Sequence, residues 1–305
     1  MLRKSYAAPK FLVTGSNGQV GFELRRSLAP LGEVIALDRA SCDLTQPDAL
    51  RQLVREYRPD VIVNPAAYTA VDKAESDADT AFAVNGTAAG VLAEEARALG
   101  SLLVHYSTDY VFDGTKAGLY VETDAVNPQS VYGKSKLAGE RAIAASGAVA
   151  LVLRTCWVAG AHGGNFAKTI LKLGRERENL RVIADQFGAP TTAALIADVT
   201  AQIVARYWLF GERSAFPTGI YHLAAAGETT WHGYATEVLT YAARKGVELK
   251  ADPTSIEPIP ATAYPLPAPR PLNSQLDTCK LRDTFGIHLP DWRQGVHFLL
   301  DQILP

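Results

Sequence analysis

Two groups of residues in this sequence can act together on a proton. Ser107 and Thr108 close the apolar run Leu102-Leu103-Val104-His105-Tyr106, and further along stands Tyr132-Gly133-Lys134-Ser135-Lys136. A tyrosine and a lysine four apart on a helix share one face. An ammonium at Lys136 would therefore favour the Tyr132 phenolate and lower its pKa, and could also hold a ribose. The apolar run reads as a buried strand, and strand ends are where α/β sheets place their active sites. Tyr-x-x-x-Lys also arises by chance on helix surfaces. Two hydroxyls at a strand end with such a pair on the next helix nevertheless point to carbonyl or alcohol chemistry.

The elements that must position these residues begin with Lys10-Phe11-Leu12-Val13-Thr14, a strand pattern that runs into Gly15-Ser16-Asn17-Gly18-Gln19-Val20-Gly21 and then a helical stretch over residues 22–31. Glycines spaced G-x-x-G-x-x-G between strand and helix let the backbone approach a pyrophosphate, which the helix N-terminus can hold. The next strand, residues 33–37, ends at Asp38, placed to accept hydrogen bonds from an adenosine ribose. Its neighbour Arg39 could equally pair with a 2′-phosphate, so NAD and NADP both stay open. A helix over 48–57, a strand over 60–64 and the small residues Ala66 and Ala67 follow, the last two leaving room for a flat ligand. Residues 72–99 read as one long crossover helix, and a strand over 148–154 closes this half of the sheet. Strands and helices alternate as in an α/β fold with a doubly wound parallel sheet, the Rossmann fold.

Beyond residue 155 the pattern is less regular, with a loop at 160–165, helices over 166–176, 192–208 and 231–245, and strands over 181–185 and 219–223. Residues 1–155 are expected to form the dinucleotide-binding domain, with segments from about 185–225 returning to it. Residues 156–305 are expected to form mainly a smaller α/β substrate-binding domain. Prolines crowd the segment 253–271, which suits neither a helix nor a central strand; its interleaved Ile256, Ile259, Tyr264, Leu266 and Leu272 suggest a packed loop that walls or covers a substrate site. With 305 residues, 48% hydrophobic and 20% charged, the chain can bury one large core or two moderate ones. A formal charge of −2 offers no basic field for nucleic acid, and no apolar run approaches the roughly 18 residues of a membrane span. Residues 1–9 lack an apolar core of a signal peptide and read as a short disordered lead-in, so the cytoplasm is the expected location. Cys42, Cys156 and Cys279 are widely spaced and take no assigned role, and the six histidines show no metal-ligand spacing.

At these residues the chain resembles the extended short-chain dehydrogenase/reductases, and within them the enzymes that reduce the 4-keto group of a dTDP-6-deoxy-hexulose in nucleotide-sugar and cell-surface polysaccharide biosynthesis. The resemblance spans residues 10–304. Besides the glycine loop and Tyr132-x-x-x-Lys136, it is carried by Gly18-Gln19-Val20-Gly21, by the stretches 67–75 and 107–114, by Asp185-Gln186-Phe187-Gly188-Ala189-Pro190-Thr191, and by Arg270-Pro271-Leu272-Asn273-Ser274. It implies a catalytic set of Thr108, Tyr132 and Lys136. It also implies NADPH or NADH held by Gly15, Asn17, Gly18, Gln19, Val20, Asp38, Arg39, Asp43, Leu44, Ala66, Ala67, Tyr68 and Lys136. Thr69, Val71, Ser107, Asp109, Trp157, Asn165, Arg270 and Asn273 would then face a dTDP-sugar, Arg270 and Asn273 at its nucleotide end.

Two rival readings share much of this pattern. The related sugar-nucleotide 4,6-dehydratases carry Asp-Glu after the strand-end threonine, where this chain has Asp109-Tyr110 and no glutamate to help eliminate water. Proteins similar to the reductases also serve as non-catalytic regulatory subunits of methionine adenosyltransferase, and a related sugar-nucleotide reductase or epimerase is a further alternative. Retention of Thr108, Tyr132 and Lys136 together makes catalysis the simpler account. Some members of the family are dimers bridged by magnesium through glutamates. Glu23 matches one of those positions, but Ala194 and Gln302 stand where the pattern puts acids. One carboxylate with neutral companions is a poor site for a hard cation. The expectation is no structural metal and a monomer or a metal-independent homodimer.

Overall fold

Short apolar runs bounded by Gly, Asp or Pro form the strands, and longer amphipathic stretches fold back between them as helices. The computed structural model describes residues 8–304; residues 1–7, most of the lead-in expected to be disordered, and residue 305 lie outside the described residues. The first half contains β1 (Lys10–Val13), α1 (Gln19–Leu28), β2 (Glu33–Ala36), α2 (Pro47–Tyr57), β3 (Val61–Asn64), α3 (Val71–Ala74), α4 (Ala78–Phe82), α5 (Ala88–Leu99), β4 (Leu102–Thr108), α6 (Val131–Ser146) and β5 (Ala150–Thr155). The second half contains β6 (Val158–Ala159), α7 (Phe166–Glu176), β7 (Arg181–Ile183), β8 (Phe187–Gly188), β9 (Thr191–Thr192), α8 (Ala193–Ile203), β10 (Gly219–His222), β11 (Thr229–Thr230), α9 (Trp231–Arg244), β12 (Glu257–Ile259), α10 (Cys279–Phe285) and α11 (Trp292–Ile303). Among the described residues no helix is long and apolar enough to cross a membrane.

Six strands form one parallel sheet in the order β10-β5-β4-β3-β1-β2. The chain runs outward from β1 to β2 and then returns to the other side of β1, which leaves a crevice at the carboxyl ends of β1 and β3. This is the doubly wound sheet that the alternation of elements predicts. Strand β5 is not its edge, because β10 pairs outside it in parallel. Phe11, Val13, Val61, Val63 and Leu153 face one side of the sheet and pack with Leu24 and Leu28 of α1 and Ile196 and Ile203 of α8. Leu12, Ile62, Leu103 and Val152 face the other and meet Leu50 and Val54 of α2, Leu92 of α5 and Ile143 of α6. Both faces are covered, which is why these strands read as continuous apolar runs rather than alternating ones. A separate core of Ile170, Leu171, Val182, Tyr234, Val238, Trp292, Val296 and Leu300 joins α7, β7, α9 and α11.

The stretch 72–99 is not one helix. The chain leaves helical geometry at Asp77, whose φ is −134° and whose carboxylate accepts the Tyr68 hydroxyl at 2.9 Å, and a π-helical turn over Ala83–Thr87 follows α4. That turn directs Asn85 inward, where its amide bonds both backbone groups of Tyr68 and the Ser135 hydroxyl of α6. The proline-rich segment contributes β12, paired in parallel with β7 in a two-stranded sheet. Past β12, the Ala268 N–H donates to Asp72 at 3.1 Å and straps this segment to α3.

Helix α6 begins with Ser130, whose hydroxyl accepts the Gly133 N–H at 3.1 Å, and ends at Gly147 in the left-handed conformation. Gly133 is required by close approach, since a Cβ there would stand 2.2 Å from the Tyr110 carbonyl oxygen. Further along α6, Glu140 meets Arg154 of β5 in a bidentate pair, at 2.9 and 2.7 Å, with both side chains buried. The guanidinium also lies over the Phe112 ring, 5.0 Å from its centroid. Removing one partner of such a pair strands the other as a buried charge, at a cost of about 3–5 kcal/mol. Glu140→Ala should therefore lower the urea midpoint strongly, and pairing Glu140→Leu with Arg154→Met should restore most of the loss; a Glu140→Ala protein with an unchanged midpoint would show that the pair does not hold α6 to the sheet.

Candidate active site

The crevice is lined on one side by the glycine loop. Gly15 adopts a φ of +55°, and a Cβ there would lie 2.8 Å from the Ala66 backbone, so the loop sits flush against the segment after β3. Gly18 caps α1 without any side-chain acceptor. The first N–H groups of the helix are therefore left for an anion, which a dinucleotide pyrophosphate would satisfy. At the end of β2 the Asp38 carboxylate accepts hydrogen bonds from the Ser41 N–H and hydroxyl, the Ala40 N–H and the Asn17 amide, and the Ser41 bonds above all keep its pKa below the usual range. Arg39 beside it is exposed. Asp43 spends one oxygen on the N–H and hydroxyl of Thr45, and Leu44 is buried in the sheet core.

On the other side of the crevice, β4 ends with Thr108, whose hydroxyl donates to Asp109 at 3.0 Å and accepts the Tyr110 N–H at 3.2 Å. The Tyr132 ring stands edge-on to Tyr110 with centroids 5.4 Å apart. Burial pushes the Tyr132 phenol up to about 12, opposed by the Thr108 hydroxyl beside it and reinforced by the Asp109 carboxylate. Asp109 is itself lifted by burial to about 6. Ser107 Oγ, Asp109 Oδ2 and Thr155 Oγ1 are buried with no partner among the described residues, and all three lie at the carboxyl ends of β4 and β5. Buried polar groups are ordinarily hydrogen-bonded, so these three oxygens are free to accept polar ligand atoms.

Lys136 shares α6 with Tyr132, as its spacing predicts, but its ammonium does not reach for the phenol. It donates to the Tyr106 carbonyl at 2.6 Å and lies 3.3 Å from His105 Nε2. Burial draws its pKa down to about 8, against the pull of Glu140. The expected lowering of the Tyr132 pKa by Lys136 is not found, because desolvation of the partly buried phenol leads and the lysine turns toward β4.

The side chains expected to face a sugar nucleotide divide sharply. Ser107 and Asp109 line the strand end, Thr69 is exposed and Val71 opens α3 beside it. Tyr68 and Ala67 flank the same rim, with Tyr68 fixed by Asn85 and Asp77. Trp157 has a left-handed φ of +46°, stacks on Trp231 at 3.7 Å and abuts Gly188. Asn165 caps α7 by accepting the Lys168 N–H and donates to Gln19 and the Gly160 carbonyl, the Gln19 bond joining the loop 160–165 to the glycine loop. Asn273 likewise donates to the carbonyls of Lys116 and Gly118 and accepts the Gln275 N–H. Arg270 pairs with Asp72 at 2.7 Å rather than standing free. All three are thus bonded to other segments of the crevice wall. Gln19 Oε1 accepts both Gly160 N–H and Asn165, while Val20 packs against the core. Glu23, beside Ala194 and Gln302 in one hollow, is paired with Arg26 at 3.0 Å. Sequence reasoning missed Asn64, Asn85 and His105; a histidine inside an otherwise apolar strand was the one visible signal among them.

A doubly wound sheet with an anion-binding glycine loop on one side of its switch point and Thr108, Tyr132 and Lys136 on the other defines a dinucleotide-dependent oxidoreductase of the short-chain dehydrogenase/reductase type. Residues 9–304 match the family described as RmlD substrate binding domain, and the chain belongs to that family, the dTDP-4-dehydrorhamnose reductases. It is 51% identical to the dTDP-4-dehydrorhamnose reductase of Burkholderia thailandensis, covering 97% of this chain and 99% of the relative, and 47% identical to that of Escherichia coli, covering 96% and 97%. Among solved structures, the Clostridium acetobutylicum dTDP-4-dehydrorhamnose reductase superposes with a TM-score of 0.86 at 34% identity over 96% of this chain and 98% of its own. The Bacillus anthracis enzyme in complex with NADP does so with a TM-score of 0.86 at 31% identity over 96% and 99%.

The glycine loop separates folding from binding in a way that can be measured. A Cβ on Gly21 would stand 2.1 Å from the Gly15 carbonyl oxygen, whereas one on Gly18 meets only that oxygen at 3.2 Å, and Gly18 has an ordinary φ of −79°. Gly21→Ala should destabilise the fold. Gly18→Val should remain folded by circular dichroism yet bind NADPH far more weakly in a fluorescence titration, and unchanged affinity in the folded variant would remove the loop from the cofactor site.

Proposed function

We propose that this chain reduces the 4-keto group of dTDP-4-dehydrorhamnose to give dTDP-L-rhamnose, using NADPH or NADH. The observation that carries this reading is Thr108 at the end of β4 with Tyr132 and Lys136 one turn apart on α6, and the buried Ser107, Asp109 and Thr155 oxygens at the ends of β4 and β5 that have no partner among the described residues. When bound, the reduced dinucleotide supplies the hydride. The loop from Gly15 to Val20 would hold its pyrophosphate, Asp38 its adenosine ribose or Arg39 a 2′-phosphate there, and Lys136 its nicotinamide ribose, while Ala66 and Ala67 would leave room along the backbone.

As the ketone carbon gains its hydride, the carbonyl π electrons move onto oxygen, which becomes alkoxide-like. Tyr132 gives its proton to that oxygen. With a pKa of about 12 the phenol is fully protonated at neutral pH, so the proton is present when needed. A developing alkoxide is more basic than a phenolate, and the transfer runs downhill. Thr108, whose single hydroxyl proton goes to Asp109 in the structure, turns it to the same oxygen and stabilises the charge as it develops. The resulting phenolate regains a proton from solvent. Residues 156–304, with Trp157 and the strap around Arg270, form most of the wall that receives the sugar nucleotide, so substrate meets hydride where the two halves join. The protein acts in the cytoplasm, as a monomer or a metal-independent homodimer, with no nucleic-acid partner.

Oxidation of NADPH and of NADH in the presence of dTDP-4-dehydrorhamnose, coupled to analysis of the sugar product, tests the activity; the absence of turnover with both would revive the reading as a binding subunit. Tyr132→Phe should lose about a hundred- to ten-thousand-fold in kcat with dinucleotide affinity unchanged, since only the hydroxyl is removed. Near-normal turnover by this variant would take Tyr132 out of the mechanism.

A further inference from the structure

Beneath the candidate site a line of polar side chains crosses the sheet and takes no part in the proton transfer just described. Thr14, after β1, donates its hydroxyl to Asn64 Oδ1 at 2.6 Å. Asn64 Nδ2 lies 3.0 Å from His105 Nδ1, and His105 Nε2 lies 3.3 Å from Lys136 Nζ. All four side chains are buried. The line begins beside Gly15 and ends on the lysine.

Each link has a direction, and the directions must agree from end to end. An ammonium can only donate. With Lys136 charged, His105 Nε2 must carry a lone pair, the ring proton must sit on Nδ1, and Asn64 must turn its oxygen to the ring and its amino group to Thr14. With the amide turned the other way, Thr14 donates to the Asn64 oxygen, the amide N–H meets Nδ1, and Nε2–H faces Nζ, which can then accept only as a neutral amine; the amide oxygen and nitrogen occupy the same two places in both arrangements. The line is thus satisfied in two ways, one for each charge state of Lys136.

We propose that His105 is a positioning residue for the reduction, a neutral imidazole that changes tautomer with the charge of Lys136 and transmits the change through Asn64 to Thr14 beside the glycine loop. The ring carries one proton in both states, and the proton gained from solvent resides on Nζ. Burial, and after it the neighbouring Lys136, hold His105 well below the usual histidine range, which keeps it from becoming an imidazolium. The other groups around Lys136 are Tyr132 and Glu140 on α6, the latter paired with Arg154 of β5, together with the Tyr106 carbonyl on β4 and the uncharged Asn64 on β3. In this role His105 gives the ammonium a second acceptor from the sheet, so that its remaining N–H can serve the ribose. Losing that acceptor makes Lys136 release its proton at lower pH.

The proposal rests on the reductase reading, and two measurements keep their failures apart. Nitrogen-15 spectra of histidine-labelled protein, assigned with His105→Gln, should place the His105 proton on Nδ1 near pH 6 and on Nε2 near about pH 10, with no imidazolium between. One fixed tautomer throughout, or an imidazolium, overturns the proposal, and this result needs no turnover. In kinetics, His105→Gln retains an amide group at the Nε2 end and should keep the alkaline limb of the kcat profile. His105→Asn is too short to reach Nζ and should move that limb to lower pH, with a loss of about tenfold on its alkaline side. Identical pH profiles for both variants and the unaltered protein would overturn the proposal; if the unaltered protein failed to reduce the sugar nucleotide, the reductase reading would fall while the tautomer measurement still decided the role of His105.

Discussion

A single buried charge, the Lys136 ammonium, sets the terms for the residues around it. Its anchor is the Tyr106 carbonyl at 2.6 Å, a backbone oxygen that no mutation of Tyr106 removes. No second positive charge stands beside it: burial first, and then Lys136 itself, hold His105 well below the usual histidine range. The ammonium also requires a compensating negative charge nearby. Glu140, one turn further along α6, supplies it, and Arg154 in turn prevents Glu140 from being stranded. The helix that carries the tyrosine and lysine is thus tied to β4 and β5 by charge as well as by apolar packing.

The same economy appears where the two halves of the chain meet. Gln19 belongs to the glycine loop, yet its side-chain oxygen receives both the Gly160 N–H and Asn165. His162 lies 3.0 Å from the Asn17 carbonyl and stacks on Phe22 with ring centroids 4.4 Å apart. On the opposite rim Arg270 closes onto Asp72. Asn165, Asn273 and Arg270, expected at the ligand, are each bonded to a neighbouring segment of the crevice wall. A ketone and a nicotinamide must be aligned to within a fraction of an ångström for hydride transfer, and wall residues that are bonded to one another can supply that constraint.

What could be read beforehand follows from how locally each feature is specified. The strands, the glycine loop and the Tyr132 to Lys136 spacing depend on periodicity and residue type over a few positions, and they appear where the sequence indicates. The break at Asp77 and the π-helical turn around Asn85 depend on how α5 and α6 pack, and helical periodicity over 72–99 hides them. Asn165 and Asn273 were assigned to ligand by resemblance of motif. Their partners, Gln19 and the Lys116 and Gly118 carbonyls, lie far away in the chain and could not be foreseen from residue type. The direction of the Lys136 side chain was hidden for a similar reason: spacing puts it on the face of Tyr132, but the choice between phenol and strand is made by the nearest acceptors in three dimensions.

The arrangement of the site depends on Lys136 being buried as a weakly held charge. Selective isotope labelling of lysine side chains, with the Lys136 resonance identified through Lys136→Met, allows its titration to be followed in the otherwise unaltered resting protein. The structure predicts a midpoint drawn by burial to about 8. Because the folded value lies below that of the unfolded chain, the folded state gives up this proton first, and the contribution of Lys136 to stability should rise as pH increases through the interval between the two. A midpoint at or above the ordinary lysine value of about 10.4 would mean that the ammonium is solvated, and would contradict the arrangement on which the site is built.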